Sequence, residues 1–188
     1  MRLFIAIDLS ADIQAENSRL VKELGLREYS GVRIVPSQNI HLTLKFIGDF
    51  DDRKIPGLCA AIRESIAEVS PFRITLNSCG VFPPRDNVNV VWTGVSDKAG
   101  KLNNLVNQID ETCLLFNIQK EKRSFTPHLT IARVKRECRD SEVIRRKIQL
   151  AIPKEITQTV NEIILFASDL RSTGSVYTVV EKFELSAK

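Results

Sequence analysis

The sequence predicts an α+β fold of two pseudo-symmetric lobes, each an antiparallel sheet with helices on its outer face, around a central cleft. Short apolar segments alternate with segments whose apolar residues recur at helical spacing. Most neighbouring strands have hairpin-like joins, which favour antiparallel pairing. The order strand, helix, histidine strand, helix, strand occurs over residues 2–82 and again over residues 88–169. We therefore expect residues 1–188 to form one two-lobed domain built by internal duplication.

The elements follow from apolar periodicity and from residues that start or stop helices. Ser10 is placed to cap the first helix and Gly25 to end it, while Asp97 and Asp140 open the last two helices. Turns are expected at residues 83–87 and 171–174. The predicted strands are residues 2–9, 32–35, 41–48, 72–82, 88–95, 128–134, 160–170 and 176–185. Helices are predicted over residues 11–24, from a cap at Asp51 or Asp52 through Val69, from a cap at Asp97 through Phe116, and over residues 140–150.

The composition is that of an ordinary soluble globular domain. Hydrophobic residues make up 43% of the 188 residues and charged residues 27%, which argues against long disordered segments. The longest uncharged apolar run is far shorter than the ~18 residues that a membrane-spanning helix needs. The first residues alternate like a strand and lack the apolar block of a signal peptide. We expect a cytoplasmic monomer without a membrane partner.

The charge balance favours a small anionic ligand over an extended nucleic-acid groove. The net charge is +4 and the sequence pI is about 8.9, below the pI of about 9 typical of dedicated nucleic-acid-binding domains. The cysteines are widely scattered and have no zinc-ligand spacing, so we expect reduced thiols in or near the core. They are Cys59, Cys79, Cys113 and Cys138.

The main functional signal is a motif repeated at both histidines of the sequence. His41 begins His-Leu-Thr-Leu, and His128 begins His-Leu-Thr-Ile. Average composition makes such a pattern a chance event on the order of one in a few hundred per histidine. A single histidine in an apolar strand is usually structural, but the repetition favours function at both positions.

The paired motifs are suited to acid–base chemistry on a phosphodiester. Alternation in a strand turns His41 and Thr43 to one face, and likewise His128 and Thr130. One neutral imidazole could activate water while an imidazolium protonates the leaving oxygen, because histidine titrates near pH ~6.5. The threonine hydroxyls could bind the non-bridging oxygens. No metal or other cofactor is required, and two histidines without a carboxylate or thiolate nearby supply too few ligands for zinc.

Strand alternation also makes predictions about three neighbouring residues. Lys45 shares the His41 face of a regular strand and is a candidate phosphate ligand, whereas Phe46 falls on the core side. Arg133 falls on the face opposite His128 unless a bulge or twist intervenes. Trp92 and Phe82 are predicted as core or lobe-interface residues.

Five segments of the chain resemble the RNA 2′,3′-cyclic phosphodiesterases, a branch of the two-histidine phosphoesterase superfamily whose older name is 2′-5′ RNA ligase. The match covers nearly the whole chain in order, and its two His-x-Thr motifs are specific when taken together. The matching segments are residues 2–8, 39–48, 80–83, 125–133 and 174–177.

The resemblance implies a two-lobed α+β fold and hydrolysis of an RNA-terminal 2′,3′-cyclic phosphate to a 2′-phosphomonoester. It also implies a phosphate-binding role for Arg133, and as partners RNA ends or nucleotides that carry the cyclic phosphate. We favour His41 as the acid and His128 as the base, although the pseudo-symmetry makes either assignment workable. Two alternatives stay open: ligation through a 2′-5′ bond by the same residues, and a module that binds RNA ends without catalysis.

Overall fold

The fold was obtained as a computed structural model that describes residues 1–85, 87–171 and 174–186. Within these residues, the chain forms four α-helices and nine strands in an α+β arrangement, which confirms the predicted fold class. The helices are α1 Ala11–Glu23, α2 Ile55–Ser65, α3 Lys101–Leu114 and α4 Ser141–Leu150. The strands are β1 Arg2–Ile7, β2 Val32–Ile34, β3 Leu42–Asp49, β4 Phe72–Phe82, β5 Val90–Ser96, β6 His128–Val134, β7 Ile156–Val160, β8 Glu162–Arg171 and β9 Gly174–Glu184.

The strands form one curled antiparallel sheet in the order β7-β4-β5-β6-β3-β1-β8-β9, with β2 paired to β6. The two sides of the sheet meet between β3 and β6, where Leu42 is the pairing partner of Leu129. The two histidine motifs therefore lie on neighbouring strands at the centre of the sheet. Both leucines of the pair are fully buried, so the junction is anchored in the core.

The chain crosses between the two sides of the sheet more than once. Helix α3 packs on β3 and α2 packs on α3, whereas α4 packs on β4 and α1 contacts β7. Strand β4 pairs with β5 and β7, on the side opposite β1 and β8. Each side is thus built from both ends of the sequence. The duplication over residues 2–82 and 88–169 stays a prediction about sequence order, since neither segment alone makes up one side.

Local signals account for the helix ends. The backbone N–H of Ile13 donates to Ser10 Oγ at the start of α1, and Gly25 follows that helix with a left-handed φ of 62°. Asp97 Oδ2 accepts from the N–H of Leu102 in the first turn of α3. These contacts satisfy N–H groups that have no partner inside a helix.

Two parts of the predicted layout differ from the structure or fall outside it. Strand β7 was not predicted as a strand of its own, because three of its five residues are polar and it lies at a sheet edge. The predicted turns at residues 83–87 and 171–174 include Asp86, Ser172 and Thr173, which lie outside the described residues.

The hydrophobic core continues across both sides of the sheet and under all four helices named above. Cys59, Cys113 and Cys138 are buried in it, Cys79 is half-buried, and all are free thiols, as predicted. Burial raises the pKa of the Cys79 and Cys113 thiols to about 11. In the described part of the chain, no helix is both long and apolar enough to span a bilayer.

Candidate functional site

The two His-Leu-Thr motifs lie side by side because β3 and β6 run antiparallel through the Leu42–Leu129 pair. The strands are antiparallel, so the residue before Leu42 lies beside the residue after Leu129, and the reverse. His41 is therefore beside Thr130, and Thr43 is beside His128. The buried leucines point into the core, whereas the flanking histidines and threonines are only half-buried. The structure therefore brings four of the predicted site residues to one face of the sheet.

Both imidazole rings are held in the same way. His41 Nδ1 lies 2.8 Å from the backbone oxygen of Asn39, and His128 Nδ1 lies 2.7 Å from the backbone oxygen of Thr126. A carbonyl oxygen can only accept, so Nδ1 carries the proton in each ring. Nε2 is then the nitrogen left for a substrate. In its neutral state each ring presents a lone pair, and in its charged state a proton.

Aromatic side chains from β1, β8 and β9 surround His41. The centroid of its ring lies 4.8 Å from that of Phe4, and Tyr177 meets it edge-on at 5.2 Å. The ring of Phe166 stacks on that of Phe4 with 5.3 Å between their centroids, and its centroid lies 6.4 Å from that of His41. These contacts fix the ring plane of His41 and remove most of its surface from water.

A second aromatic group holds His128. The ring of Phe82 meets it edge-on at 5.0 Å, and Trp92 lies 6.4 Å away. Gly80 lies opposite Trp92 in the β4–β5 pair, where a Cβ atom would come within 2.1 Å of the indole ring. The glycine is therefore needed for the indole to lie flat over β4. The indole Nε1 is buried and has no hydrogen-bond partner among the described residues.

The electrostatics of His41 follow from this setting. Burial lowers the pKa of His41 below its ordinary value, and the positive charge of Arg133, together with that of a protonated His128, acts in the same direction. The Asn39 carbonyl and the Asp8 carboxylate oppose the shift. His41 is therefore mainly neutral near pH 7, and its charged form is a stronger acid than a free imidazolium.

A bulge in β6 decides the position of Arg133. Trp92 of β5 pairs with Thr130 and Val91 pairs with Ala132, so the pairing skips Ile131. The extra residue reverses the alternation beyond it. Arg133 is accordingly exposed between two buried neighbours and lies on the face of His128 and Thr130. This bulge is the irregularity that Arg133 needs in order to share a face with His128.

A matching bulge in β3 overturns the prediction for Lys45. Ile5 of β1 pairs with Lys45 and Ala6 pairs with Thr43, so the pairing skips Leu44. Lys45 therefore points away from the histidines into the layer of α3, with only 2% of its surface exposed. Its Nζ lies 2.6 Å from Asp110 Oδ1 and donates to the backbone oxygen of Gln119 at 2.7 Å. Its charge is neutralised there, so Lys45 is not a phosphate ligand.

The same bulge moves Phe46 from its predicted core position to the cleft face. It is 58% exposed, and its ring centroid lies 6.3 Å from that of Phe4, which in turn contacts His41. Phe46, Phe166 and the two aromatic groups were not predicted as site residues from spacing. The segments 2–8, 80–83 and 174–177 carried a signal, since each supplies one ring that packs on a histidine.

A cluster of metal ligands is not found in residues 1–85, 87–171 and 174–186: they contain no group of three or more His, Cys, Asp or Glu side chains arranged to hold an ion. The cleft presents two imidazoles, two hydroxyls and one guanidinium. These groups can bind an anion and move protons at it.

Comparison with known proteins places this arrangement in a family. The family model described as LigT-like phosphoesterase matches residues 7–92 and 94–177. The RNA 2′,3′-cyclic phosphodiesterase of Aquifex aeolicus (strain VF5) is 34% identical over 188 residues, which cover 98% of this chain and 97% of that protein.

Solved structures agree over the full length. The TT0787 protein of Thermus thermophilus superposes with a TM-score of 0.82 at 26% identity and covers 100% of both chains. Escherichia coli LigT complexed with 3′-AMP superposes with a TM-score of 0.80 at 26% identity, covering 98% of this chain and 97% of that one. The resemblance drawn from the sequence is confirmed: this chain belongs to the LigT-like phosphoesterase family.

Proposed function

We propose that this protein hydrolyses the 2′,3′-cyclic phosphate at an RNA end to a 2′-phosphomonoester, without a metal, by acid–base catalysis at two histidines. The observation that carries the proposal is the matched anchoring of His41 and His128. Each Nδ1 is tied to a backbone oxygen two residues earlier, on adjacent strands, which leaves two Nε2 atoms for one substrate. The name of the Aquifex relative supports the same substrate class.

The proposed reaction needs one proton acceptor and one proton donor. Neutral His128 takes a proton from water as the water oxygen forms a new bond to phosphorus. The bond between phosphorus and O3′ breaks, and the imidazolium of His41 gives its proton to O3′. The products are a 3′-hydroxyl and a 2′-phosphomonoester. One proton has moved from His41 to the product and one from water to His128, so exchange with solvent restores both histidines.

The lowered pKa of His41 fits the acid in this scheme. A more acidic imidazolium transfers its proton more readily to a developing alkoxide. A smaller fraction of the enzyme then carries that proton near pH 7, so the pH optimum should lie on the acid side of neutrality. Pseudo-symmetry allows the reverse assignment, with neutral His41 as the base. The product isomer reports which ester bond breaks.

The remaining cleft residues are assigned to the phosphate. Thr43 and Thr130 lie one on each motif, and their hydroxyls can donate to the two non-bridging oxygens as charge builds on them. The guanidinium of Arg133 adds a fixed positive charge on the same face and can donate two parallel hydrogen bonds to a phosphate. Phe46 offers an exposed ring for stacking of the terminal base.

The decisive experiment is incubation of the purified protein with 2′,3′-cyclic AMP in excess chelator, with chromatographic identification of the product. We expect 2′-AMP, a bell-shaped pH dependence, and turnover that is lost in both His41→Ala and His128→Ala. Each variant should retain the wild-type circular dichroism spectrum. Full turnover in both variants would overturn the mechanism. Binding of the substrate without product would instead favour an RNA-end binding module.

An assay with two RNA fragments distinguishes ligation from hydrolysis. A 2′,3′-cyclic phosphate end and a 5′-hydroxyl end, annealed on a complementary strand, are incubated with the protein. We expect conversion of the cyclic end to a 2′-phosphate to exceed joining. Accumulation of a 2′-5′ linked product as the main outcome would show that the same two histidines are used for transfer to a ribose hydroxyl.

A further inference from the structure

A second concave site lies beside the two-histidine cleft, between the β4–β5 connection and the start of α4. It is a cavity of about 660 Å³ whose lining is rich in arginine and asparagine. None of its residues belongs to the His-x-Thr motifs or to the aromatic groups around the histidines. The lining includes Pro83, Arg85, Asn87, Asn89, Arg136 and Arg145.

Two lining residues of the cavity are direct neighbours of cleft residues, either along the chain or through a backbone hydrogen bond. Pro83 follows Phe82, whose ring contacts His128 at 5.0 Å. The backbone oxygen of Asn89 accepts from the N–H of Val134, the neighbour of Arg133 in β6. Arg136 is three residues beyond Arg133, so their Cα atoms are at most ~11 Å apart. The cavity therefore begins next to Phe82 and Arg133, two residues that border the histidines and the phosphate position assigned above.

The positive charge of the cavity is available to a ligand. Arg85 and Arg136 are exposed, and neither has an ion pair or a hydrogen bond with any described residue. Glu142 also lines the cavity, but its carboxylate already accepts from Arg145 Nε at 3.1 Å and Arg146 Nε at 3.3 Å. Among the described lining residues, three arginines face one glutamate, and Arg85 and Arg136 are not neutralised by any of them.

Hydrogen bonds within the protein hold the wall of the cavity in place. Arg145 is 8% exposed and donates through Nη1 to the backbone oxygens of Pro83 and Pro84. Ser141 Oγ accepts from the N–H of Val88 at 2.7 Å. These bonds fix the base of the β4–β5 connection to the first turns of α4. The positive end of the α4 dipole adds a smaller favourable term for an anion.

We propose that this cavity binds a backbone phosphate of the RNA chain on the 5′ side of the terminal nucleotide, while the cyclic phosphate lies between His41 and His128. The inference rests on the proposed function. Arginine forks suit phosphate oxygens, and asparagine amides can donate to phosphate or ribose oxygens. A cyclic mononucleotide has no second phosphate and leaves the cavity empty. The cavity thus makes the RNA chain end a better substrate than the mononucleotide.

The test compares two substrates in the double variant Arg85→Gln/Arg136→Gln. The matched control is Lys54→Gln/Arg73→Gln, which removes the same charge. Arg73 lies nine residues before Phe82 along β4, a distance of ~30 Å. With 2′,3′-cyclic AMP, both double variants should keep the wild-type kcat/KM. With an eight-nucleotide RNA ending in a 2′,3′-cyclic phosphate, KM should rise about tenfold in the cavity variant only.

Salt dependence and direct binding give two further measurements. The slope of log KM against log salt should become shallower by about 0.7 for each phosphate that the variant no longer binds. Fluorescence anisotropy of the labelled RNA measures the same weakening without turnover, so the inference can be tested even if hydrolysis is absent.

Unchanged RNA affinity in the cavity variant would overturn the inference. So would an equal effect with the mononucleotide, which would show damage to the cleft and not removal of a site for the RNA chain. Failure of the wild-type protein to hydrolyse either substrate would count against the proposed function alone.

Discussion

Phe46 and Arg133 occupy equivalent positions in the two halves of the cleft. Each lies three residues beyond the threonine of its own motif, and each follows a bulge that skips one apolar residue, Leu44 in β3 and Ile131 in β6. The bulge in β3 turns the aromatic ring of Phe46 to one side of the cleft, and the bulge in β6 turns the guanidinium of Arg133 to the other side. The pseudo-symmetric frame thus presents one group suited to a base and one suited to a phosphate.

Arg133→Gln should raise the pKa of His41, because it removes a positive charge that disfavours the imidazolium. The limb of the pH profile that His41 governs should move to higher pH, and KM should rise about tenfold through loss of a charged hydrogen bond. NMR titration of the imidazole signals measures the pKa directly. Arg139→Gln is the control for net charge and should leave the His41 titration unchanged. A pKa that stays the same or falls in Arg133→Gln would contradict the assigned proximity.

Phe46→Ala should weaken nucleotide binding with little effect on folding. The ring is 58% exposed, so its removal costs little stability, whereas stacking of a base on an aromatic ring contributes roughly 1–3 kcal/mol. We expect KM for 2′,3′-cyclic AMP to rise about tenfold at nearly constant kcat. Phe46→Trp should retain low KM. Leu115→Ala, at another exposed apolar position, is the control and should leave KM unchanged. An equal KM in Phe46→Ala and wild type would exclude stacking of the base on Phe46.

Asp110→Ala should destabilise the fold by about 3 kcal/mol or more, because it leaves the buried Lys45 ammonium without its counter-ion. The double variant Lys45→Met/Asp110→Leu removes both charges and should recover most of that loss. Urea unfolding monitored by circular dichroism gives the free energies of unfolding. Steady-state kinetics on the folded double variant should match wild type. A folded double variant with no turnover would show that Lys45 is required for activity.

Gly80→Ala should displace the indole of Trp92, since the new Cβ would lie 2.1 Å from the ring. Movement of the indole removes a support of His128, and we expect kcat to fall more than KM rises. Trp92 is the one tryptophan in the sequence, so its emission maximum reports the movement without interference. Gly57→Ala is the control, because the nearest atom to its Cβ is 3.7 Å away. An unshifted emission spectrum with wild-type kcat would show that the sheet absorbs the extra methyl group.

Most elements could be predicted from local patterns, since the caps and apolar stripes that define them are short-range. The site was harder, because strand alternation assumes a regular strand. Leu44 and Ile131 look like ordinary core residues in the sequence, and only pairing with β1 and β5 shows that each is an inserted position. That pairing reverses the expected sides of Lys45 and Phe46. The pairing of Lys45 with Asp110 joins residues that the sequence separates widely, so spacing carries no trace of it.

The exchange of elements between the two sides of the sheet has a consequence for how such a chain could arise. A cut between β4 and β5, where the two predicted halves meet, would leave one fragment with β1 and β3 but not their neighbour β8, and another with β5 and β6 but not their neighbour β4. Neither fragment has a complete sheet, and only their recombination restores the central strand pair. If both halves descend from one short ancestor, a dimer of that ancestor whose two copies exchanged strands would have the same strand pairing as this chain. Fusion of the two copies would then turn an exchange between molecules into a connection within one chain.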